Sequence, residues 1–232
     1  MHMLKTGLAL AASLALAACS GEPHMAEPML RPAANPSAVI AAELAFAQLA
    51  QDKGQWTAFR ATATPDAVMF QPTMILAQPW LKGRADPASA VKWQPHQVWS
   101  SCDGSVAISH GAWQRGPGRS GYFTTVWQRQ RDGGYKWVFD HGDSLALPLD
   151  APEMIAAKVA DCPKRARGVP PKYSPAVASP FNPRERSVTS DDGTLAWTIT
   201  AEPNGAHNFS AEMRQDGVMQ QIVIEEVAAP EG

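Results

Sequence analysis

The spacing of apolar residues changes from a helical period to a strand period near Pro65. Residues 37–54 place apolar side chains on one helical stripe, and residues 55–65 continue as a shorter helix that carries Trp56 and Phe59. Beyond them, stretches such as AISHGAW and YKWVFDH alternate in the manner of strands. Helices followed by a run of antiparallel strands predict an α+β fold.

The limits of the first helix are indicated by its flanking residues. Ser37, which follows Pro36, is predicted to cap the helix, and Gly54 is predicted to end it. A first strand is predicted at 66–71, and an irregular stretch containing prolines follows it. The helical stripe expected to face the core consists of Ile40, Leu44 and Ala47, with Val39, Phe46 and Leu49 on its sides.

The first residues of the chain have the composition of an export signal. After Lys5, the chain is uncharged from Thr6 to Ala18, a run too short to span a bilayer. The closing letters LAAC resemble a bacterial lipobox, which implies cleavage before Cys19 and a lipid on its sulfur. An ordinary signal peptide with an incidental cysteine is the alternative. The resemblance predicts a leader over 1–18 and an anchor in the membrane.

The residues after the cysteine indicate where the protein resides. Ser20 rather than an aspartate follows Cys19, which in lipoprotein sorting implies the outer membrane, on the periplasmic side of the bacterial envelope. Residues 19–36 are rich in proline and lack an apolar period, so they are predicted to form an extended tether.

Charge, histidine and cysteine patterns narrow the partners and cofactors. The 20 basic and 22 acidic residues nearly cancel, and no basic patch is interleaved with aromatics, so no nucleic-acid partner is expected. The histidines are scattered and no CxxC or HxxxH occurs, so no metal and no other cofactor is predicted. An oxidising compartment permits a disulfide between Cys102 and Cys162, and two free thiols are the alternative. The sequence does not decide whether the protein forms a homodimer.

Three stretches, in chain order, carry a resemblance to a known family: FAQLAQDKGQWTAFRATATPDAVMFQP, AISHGAW and TTVWQRQRDGGYKWVFDH. They resemble the nuclear transport factor 2-like superfamily, near its SnoaL-like and ketosteroid-isomerase-like branches. The resemblance covers roughly residues 37–145. It implies a cone, in which a strongly bent antiparallel sheet wraps the N-terminal helices and leaves a pocket. Such pockets are mostly apolar, so a small apolar ligand is expected.

Strand parity predicts which side chains face that pocket. In AISHGAW, Ser109, Gly111 and Trp113 share a face, and the small residues would leave room beneath the sheet. On the last strand Trp137, Phe139 and His141 share a face, with Asp140 on the other. The predicted ligand-binding residues are Ser109, Trp113, Trp127, Phe139 and His141.

The turn between the last two of these strands determines their register. A three-residue DGG loop with Gly134 in the left-handed region would place Trp127 opposite Phe139, and Thr125 opposite His141. A two-residue turn would instead pair Val126 with Phe139. The first register is the one on which the predicted pocket depends.

A catalytic role has one weak candidate, His141, at the end of the aromatic face. The alternative is a hydrogen-bonded structural histidine, and Asp140 and Asp143 are expected to be solvated groups at a strand end. Steroid isomerisation needs a carboxylate base and acidic donors. The resemblance would place the base at Gln71, and the donors at Phe46 and Thr125, so isomerase activity is not expected.

Residues 146–232 form an extension to the resembling region. A short helix over 150–162, opened by Asp150 and Pro152, is predicted to precede a proline-rich connector and about three strands. CDGSVAIS at 102–109 and DDGTLAWT at 191–198 share their spacing, which indicates either a decayed internal repeat or shared turn chemistry.

Three functions are consistent with these observations. An exported lipoprotein that binds a small apolar molecule is favoured by the leader, the resemblance and the missing isomerase groups. An enzyme acting on a small apolar substrate, with His141 as acid or base, is the first alternative. A structural envelope protein that meets a partner through its strands is the second.

Overall fold

The computed structural model describes residues 33–163 and 180–230. The predicted leader, Cys19, most of the tether and the connector at 164–179 lie outside the described residues. The α+β prediction is confirmed: a large curved sheet carries a few helices on one face and a smaller sheet on the other. No helix of the described part is long and apolar enough to cross a membrane.

The helices precede most of the strands along the chain. The helices are α1 (Pro36–Lys53), α2 (Gln55–Thr62) and α3 (Ala77–Leu81). The larger sheet contains β1 (Ala63–Phe70), β2 (Met74–Leu76), β3 (Lys92–Ser100), β4 (Val106–Gln114), β5 (Ser120–Arg129), β6 (Tyr135–Leu145) and β7 (Ala156–Val159). The smaller sheet contains β8 (Glu185–Thr189), β9 (Leu195–Ala201), β10 (His207–Gln215) and β11 (Val218–Val227).

The strand order is β2-β1-β6-β5-β4-β3-β7 in the larger sheet and β11-β10-β9-β8 in the smaller one. Pairing is antiparallel except where β1 runs parallel to β6, and β7 parallel to β3. The irregular stretch expected after the first strand contains β2 and α3.

The first helix begins two residues earlier than expected. Asn35 is its cap, because its side-chain oxygen accepts a hydrogen bond from the Ala38 N–H at 3.1 Å, so the assignment of the cap to Ser37 was wrong. Gly54 ends α1 as predicted, with a φ of 106° that favours glycine. The buried face also differs from the expected stripe, since Leu44 is 43% exposed. The side chains that face the core are Val39, Glu43, Phe46 and Ala50.

The segment at 150–162 is not a helix. It contains β7, which pairs with the edge of β3, and the pairing continues where the Ala160 N–H donates to the Ser100 carbonyl. Cys162 is bonded to Cys102 just beyond β3. The free edge of β3 and this covalent link together explain why an extended conformation wins over helical propensity at AAKV.

Two apolar layers hold the fold together, one on each face of the larger sheet. The layer beneath the helices includes Phe46, Met69, Trp127 and Trp137. The larger members of the layer between the sheets are Val68, Ile108, Phe139, Leu195, Trp197, Ile199 and Phe209. The second sheet therefore covers the outer face of the first one, and its own exposed side chains are mostly polar.

The two similar sequence stretches form equivalent turns that contact each other. Asp103 Oδ1 accepts from the N–H and hydroxyl of Ser105, and Asp192 Oδ1 accepts in the same way from Thr194. The turns also exchange hydrogen bonds, from Cys102 N–H to Thr194 Oγ1 and from Asp191 N–H to Ser105 Oγ. The four strands that surround each turn have the same order in their sheets. This equivalence favours the interpretation as an internal repeat.

Candidate functional site

A cavity of about 330 Å³ opens between α1, α2 and the larger sheet. Its size is at the lower end of the range typical of small-molecule sites. The apolar part of its wall is mostly aromatic: Phe46, Trp56, Phe59, Phe70, Trp93, Trp113 and Phe123. Several of these rings already pack edge to face, such as Phe46 on Phe59 and on Trp93, each with ring centres 4.8 Å apart. The wall is thus formed before any ligand binds.

Polar side chains also line this cavity: Gln55, Gln71, Arg115, Arg119, Asp140 and Ser144. Asp140 is half-buried in the wall, and the hydroxyl of Thr125 donates to its Oδ2 at 2.7 Å. Burial raises the pKa of Asp140 to about 8; the Thr125 hydrogen bond lowers it, and the charge of Glu43 raises it. Asp140 is therefore mostly a neutral acid at pH 7, and it can donate a hydrogen bond into the cavity.

Sequence parity had placed Asp140 on the opposite face, and a β-bulge explains the error. Trp127 pairs with Trp137, but its neighbour Val126 pairs with Phe139, so Val138 is an extra residue on β6. The register with Trp127 opposite Phe139 was wrong, as was the left-handed Gly134. Gly133 takes that conformation, with a φ of 86°. The sequence signal that alternation breaks here was three successive apolar residues, Trp137 to Phe139, all of which are buried in the structure.

Of the five predicted ligand-binding residues, Trp113 and His141 lie along the cavity wall, and Ser109, Trp127 and Phe139 do not. The side chain of His141 is nevertheless fully buried and offers no surface to the cavity. The space expected above Ser109 is filled by the side chain of Glu43, which reaches in from α1. The Ser109 hydroxyl donates to Glu43, and Trp127 Nε1 donates to Ser109 Oγ at 2.9 Å. The small residue accommodates a buried carboxyl group rather than a ligand.

Glu43 is completely buried, and no salt bridge within residues 33–163 and 180–230 joins it to a cation. Trp93 Nε1 donates to Oε1 at 2.7 Å, and Trp127 Nε1 reaches Oε2 at 3.2 Å. Burial raises the pKa of Glu43, while the hydrogen bonds from Ser109, Trp93 and Trp127 lower it. This carboxyl group fixes the indole rings of Trp93 and Trp127, and it raises the pKa of Asp140 when it is charged.

Phe139 and His141 face the second sheet instead of the helices. The Phe139 ring stacks on Trp197 and on Phe209, with centres 5.3 Å apart in each case. His141 Nε2 contacts Glu225 Oε2 at 2.7 Å, and its Nδ1 contacts His207 Nε2 at 3.1 Å. With both ring nitrogens occupied and the side chain fully buried, His141 has no nitrogen that could reach a ligand. These contacts give no support to the acid or base role that the sequence suggested for His141.

Glu225 is the centre of this junction between the sheets. Its Oε1 accepts a hydrogen bond from the Thr124 hydroxyl at 2.7 Å and contacts His110 Nδ1 at 3.0 Å. Burial alone would raise the pKa of Glu225, but the hydrogen bonds from His110 and His141 outweigh it and lower the pKa to about 2. The carboxylate is therefore charged, and His110 is part of its site.

The surroundings of His207 determine its protonation state. Its Nδ1 contacts the Gly205 carbonyl at 2.9 Å, and burial lowers the pKa of His207 to about 4. His207 is therefore neutral near pH 7. Its Nδ1 donates to the carbonyl oxygen, and its Nε2 accepts in the contact with His141.

The positions that the resemblance assigned to isomerase chemistry do meet at the cavity. Gln71 and Phe46 line it, and Thr125 lies behind Asp140. None of the three supplies a carboxylate. The acid in the wall is Asp140, which the sequence analysis had treated as a solvated group.

The described residues contain another, larger groove but no group of metal ligands. A larger groove of about 780 Å³ lies along β8 and includes Pro180, which directly follows the undescribed residues 164–179, so its wall is incompletely defined. Within 33–163 and 180–230 there is no group of three histidine, cysteine or acidic side chains that could hold a metal ion. The 330 Å³ cavity is therefore the candidate site.

No family model matches this chain, and no curated protein matches it. Solved structures with a partial likeness include a ketosteroid isomerase candidate from Parabacteroides distasonis. The two sequences are 18% identical, the match covers 50% of this chain and 97% of that chain, and the TM-score is 0.37. An aromatic ring hydroxylase candidate from Novosphingobium aromaticivorans has 15% identity over 49% of this chain and 91% of that chain, TM-score 0.36.

A third likeness is to a nuclear transport factor 2-like superfamily protein from Salmonella enterica, with 12% identity over 51% of this chain and 94% of that chain, TM-score 0.37. This is the superfamily that residues 37–145 resemble in sequence. At identities and TM-scores this low, the function has to be argued from the residues of the chain itself.

Proposed function

We propose that this protein binds a small, flat, largely apolar molecule in the aromatic cavity, in a pocket of the cone type. The observation that carries the proposal is the preformed wall of seven aromatic rings around about 330 Å³. Apolar pockets with a few convergent polar groups are the usual form of small-molecule sites. Asp140 supplies such a group, because its protonated carboxyl can donate to a carbonyl or amide oxygen on the ligand.

Filling the mouth of the cavity tests this proposal. Ser144 is exposed on β6 and lines the cavity, so Ser144→Trp should occupy the ligand space at little cost in stability. The neutral fluorescent probe N-phenylnaphthylamine should bind the parent protein and lose most of its affinity for this variant. Thr200→Trp, at an exposed position on β9, is the control and should bind the probe as the parent does. Equal binding by Ser144→Trp and the parent would refute the proposal.

A second candidate function is proton transfer to or from a bound substrate by Asp140. It is favoured by a carboxyl group that lines the cavity and has a pKa near 8, since an acid or base works best with a pKa near the working pH. His141 is not the residue proposed for this role, because its nitrogens are held at the sheet junction. Glu43 would act only by raising the pKa of Asp140.

Nitrobenzisoxazole, a flat aromatic substrate that ring-opens on loss of one proton, gives a test. The Asp140 carboxylate would take the C–H proton, the N–O bond would break, and the electron pair would end on the phenolate oxygen. The rate above the solution reaction should rise with pH through about 8, as Asp140 ionises, and should vanish in Asp140→Asn. Glu212→Gln, at an exposed site on β10, should keep the parent rate. A rate unchanged in Asp140→Asn would dismiss this role.

We also propose that the protein acts at the bacterial cell envelope, tethered through a lipid on Cys19. The support is the LAAC sequence that follows the uncharged run. In fractionated cells, Cys19→Ala should leave the membrane pellet while the parent stays in it. Retention of the variant in the pellet would argue against the lipid anchor.

A further inference from the structure

The hairpin between β4 and β5 brings two arginines to the mouth of the cavity. Arg115 and Arg119 both line it and both are exposed, and the Arg115 N–H donates to the Arg119 carbonyl across the loop at 2.9 Å. Arg115 has the strand parity of Trp113, which lines the cavity, and Arg119 has that of Gly121. Their position at the mouth therefore follows from the same alternation that places Trp113 in the wall.

No carboxylate in the described ranges neutralises these two charges. The ion pairs within 33–163 and 180–230 join Glu225 to His110 and His141, and Arg186 to Asp66. The acid among the lining residues, Asp140, has a pKa near 8 and is mostly uncharged at pH 7. The cavity thus has two guanidinium groups at its mouth and a neutral donor in its wall, and nothing among its lining residues balances the positive charge.

We propose that the natural ligand carries an anionic group, a carboxylate or a sulfonate, which Arg115 and Arg119 bind at the mouth while its apolar body lies among the aromatic rings. This proposal rests on the proposed function and specifies its ligand class. Guanidinium groups are suited to planar oxyanions because they donate two parallel N–H groups. The Asp140 carboxyl would face the buried end of the molecule. The expected ligand is a small aromatic or polycyclic acid rather than a neutral hydrocarbon.

Two probes that differ by one sulfonate test the charge preference. Anilinonaphthalene sulfonate is the anionic counterpart of N-phenylnaphthylamine, so the ratio of their dissociation constants isolates the anionic group. At low salt the parent should favour the anionic probe by about three- to tenfold more than the double variant Arg115→Gln, Arg119→Gln does. The neutral probe should bind both proteins alike. Arg131→Gln, which removes an exposed arginine from the other hairpin, is the matched control and should keep the parent ratio.

The outcomes separate this inference from the proposed function. If the neutral probe binds the parent and is lost in Ser144→Trp, but the double variant keeps the parent ratio, the arginine site is wrong and the cavity proposal stands. If the anionic probe alone binds, and does so through the two arginines, the anionic site is supported and the apolar preference is wrong. If neither probe binds the parent, both proposals are overturned. Arg115→Lys with Arg119→Lys should retain part of the preference, because lysine keeps the charge without the paired donors.

Discussion

The surroundings of Asp140 raise its pKa, so this carboxyl group can donate a hydrogen bond to a ligand at neutral pH. A carboxyl group that is uncharged at neutral pH is a strong hydrogen-bond donor in a place where water is scarce. The protein maintains this state by burying the group and by giving it a single donor, Thr125, instead of a cation. The cost is that the folded state must hold a proton that the unfolded chain releases.

Asp140→Asn should therefore stabilise the protein, and the gain should grow with pH. The folded pKa of Asp140, about 8, lies above its unfolded value near 3.9, so the stability of the parent falls as pH rises between these values. Asparagine carries no charge and still accepts the Thr125 hydrogen bond. Urea unfolding should show a gain of roughly 2–4 kcal/mol at pH 8 and a smaller one at pH 5. An equal gain at both values would mean that Asp140 is charged in the folded protein; Glu212→Gln is the exposed control.

The sequence predicted some of the residues that form the site and missed others. The face of β4 that carries Trp113 follows from simple alternation, and this side chain does line the cavity. Glu43 could not be found in this way, since a glutamate on a helix is usually solvated, and only the indole and hydroxyl donors opposite it explain its burial. Continuing the strand alternation past the strand ends predicts the face on which Arg115 and Arg119 lie. The sequence alone does not indicate that this face carries the cavity mouth.

Elements were predicted better than their registers. About three strands were expected after the connector, and the structure has four, β8 to β11. Strand β7 was mistaken for a helix because its partner, the edge of β3, is distant in sequence. The bulge at Val138 had the largest effect, because one extra residue reverses the face of every side chain beyond it. A bulge also occurs at the matching place in the second sheet, at Ile222 of β11.

The junction between β6, β10 and β11 should respond to mild acid through His207. Its folded pKa, about 4, lies below the unfolded value near 6.5, so its contribution to stability is present above pH 6.5 and is lost as pH falls to about 4. Thermal unfolding of the parent should lose roughly 2–3 kcal/mol over this window, and His207→Gln should show a flatter profile.

Glu225 provides a comparison at the same junction. Because its folded pKa is about 2, its contribution is lost at lower pH, as the pH falls from about 4.5 towards 2. Glu225→Gln should therefore reduce stability near neutral pH and flatten only the more acidic part of the profile. Two variants with identical pH profiles would contradict separate roles for these groups.

At the scale of the whole molecule, the larger sheet is buried on both faces. One face holds the helices and the cavity, and the other holds the smaller sheet, whose Trp197 and Phe209 cover Phe139. Removing residues 180–230 would expose this apolar layer, so the extension is part of the structural core of the described protein. The cavity can remain partly open because stability is supplied from the other side of the sheet.

The disulfide lies near the end of β4 that is opposite to the cavity mouth. Cys102 lies in the turn that contacts Thr194, and the bond to Cys162, 60 residues along the chain, secures β7 against β3. Closing a loop of this length contributes roughly 4 kcal/mol in the chain-entropy model. The free energy of unfolding of the double variant Cys102→Ser, Cys162→Ser should be lower by about this amount, so it should unfold at a lower urea concentration. It should bind N-phenylnaphthylamine nearly as the parent does. A reducing agent should weaken the parent and leave the variant unchanged; a parent indifferent to reduction would show that the bond does not stabilise the fold.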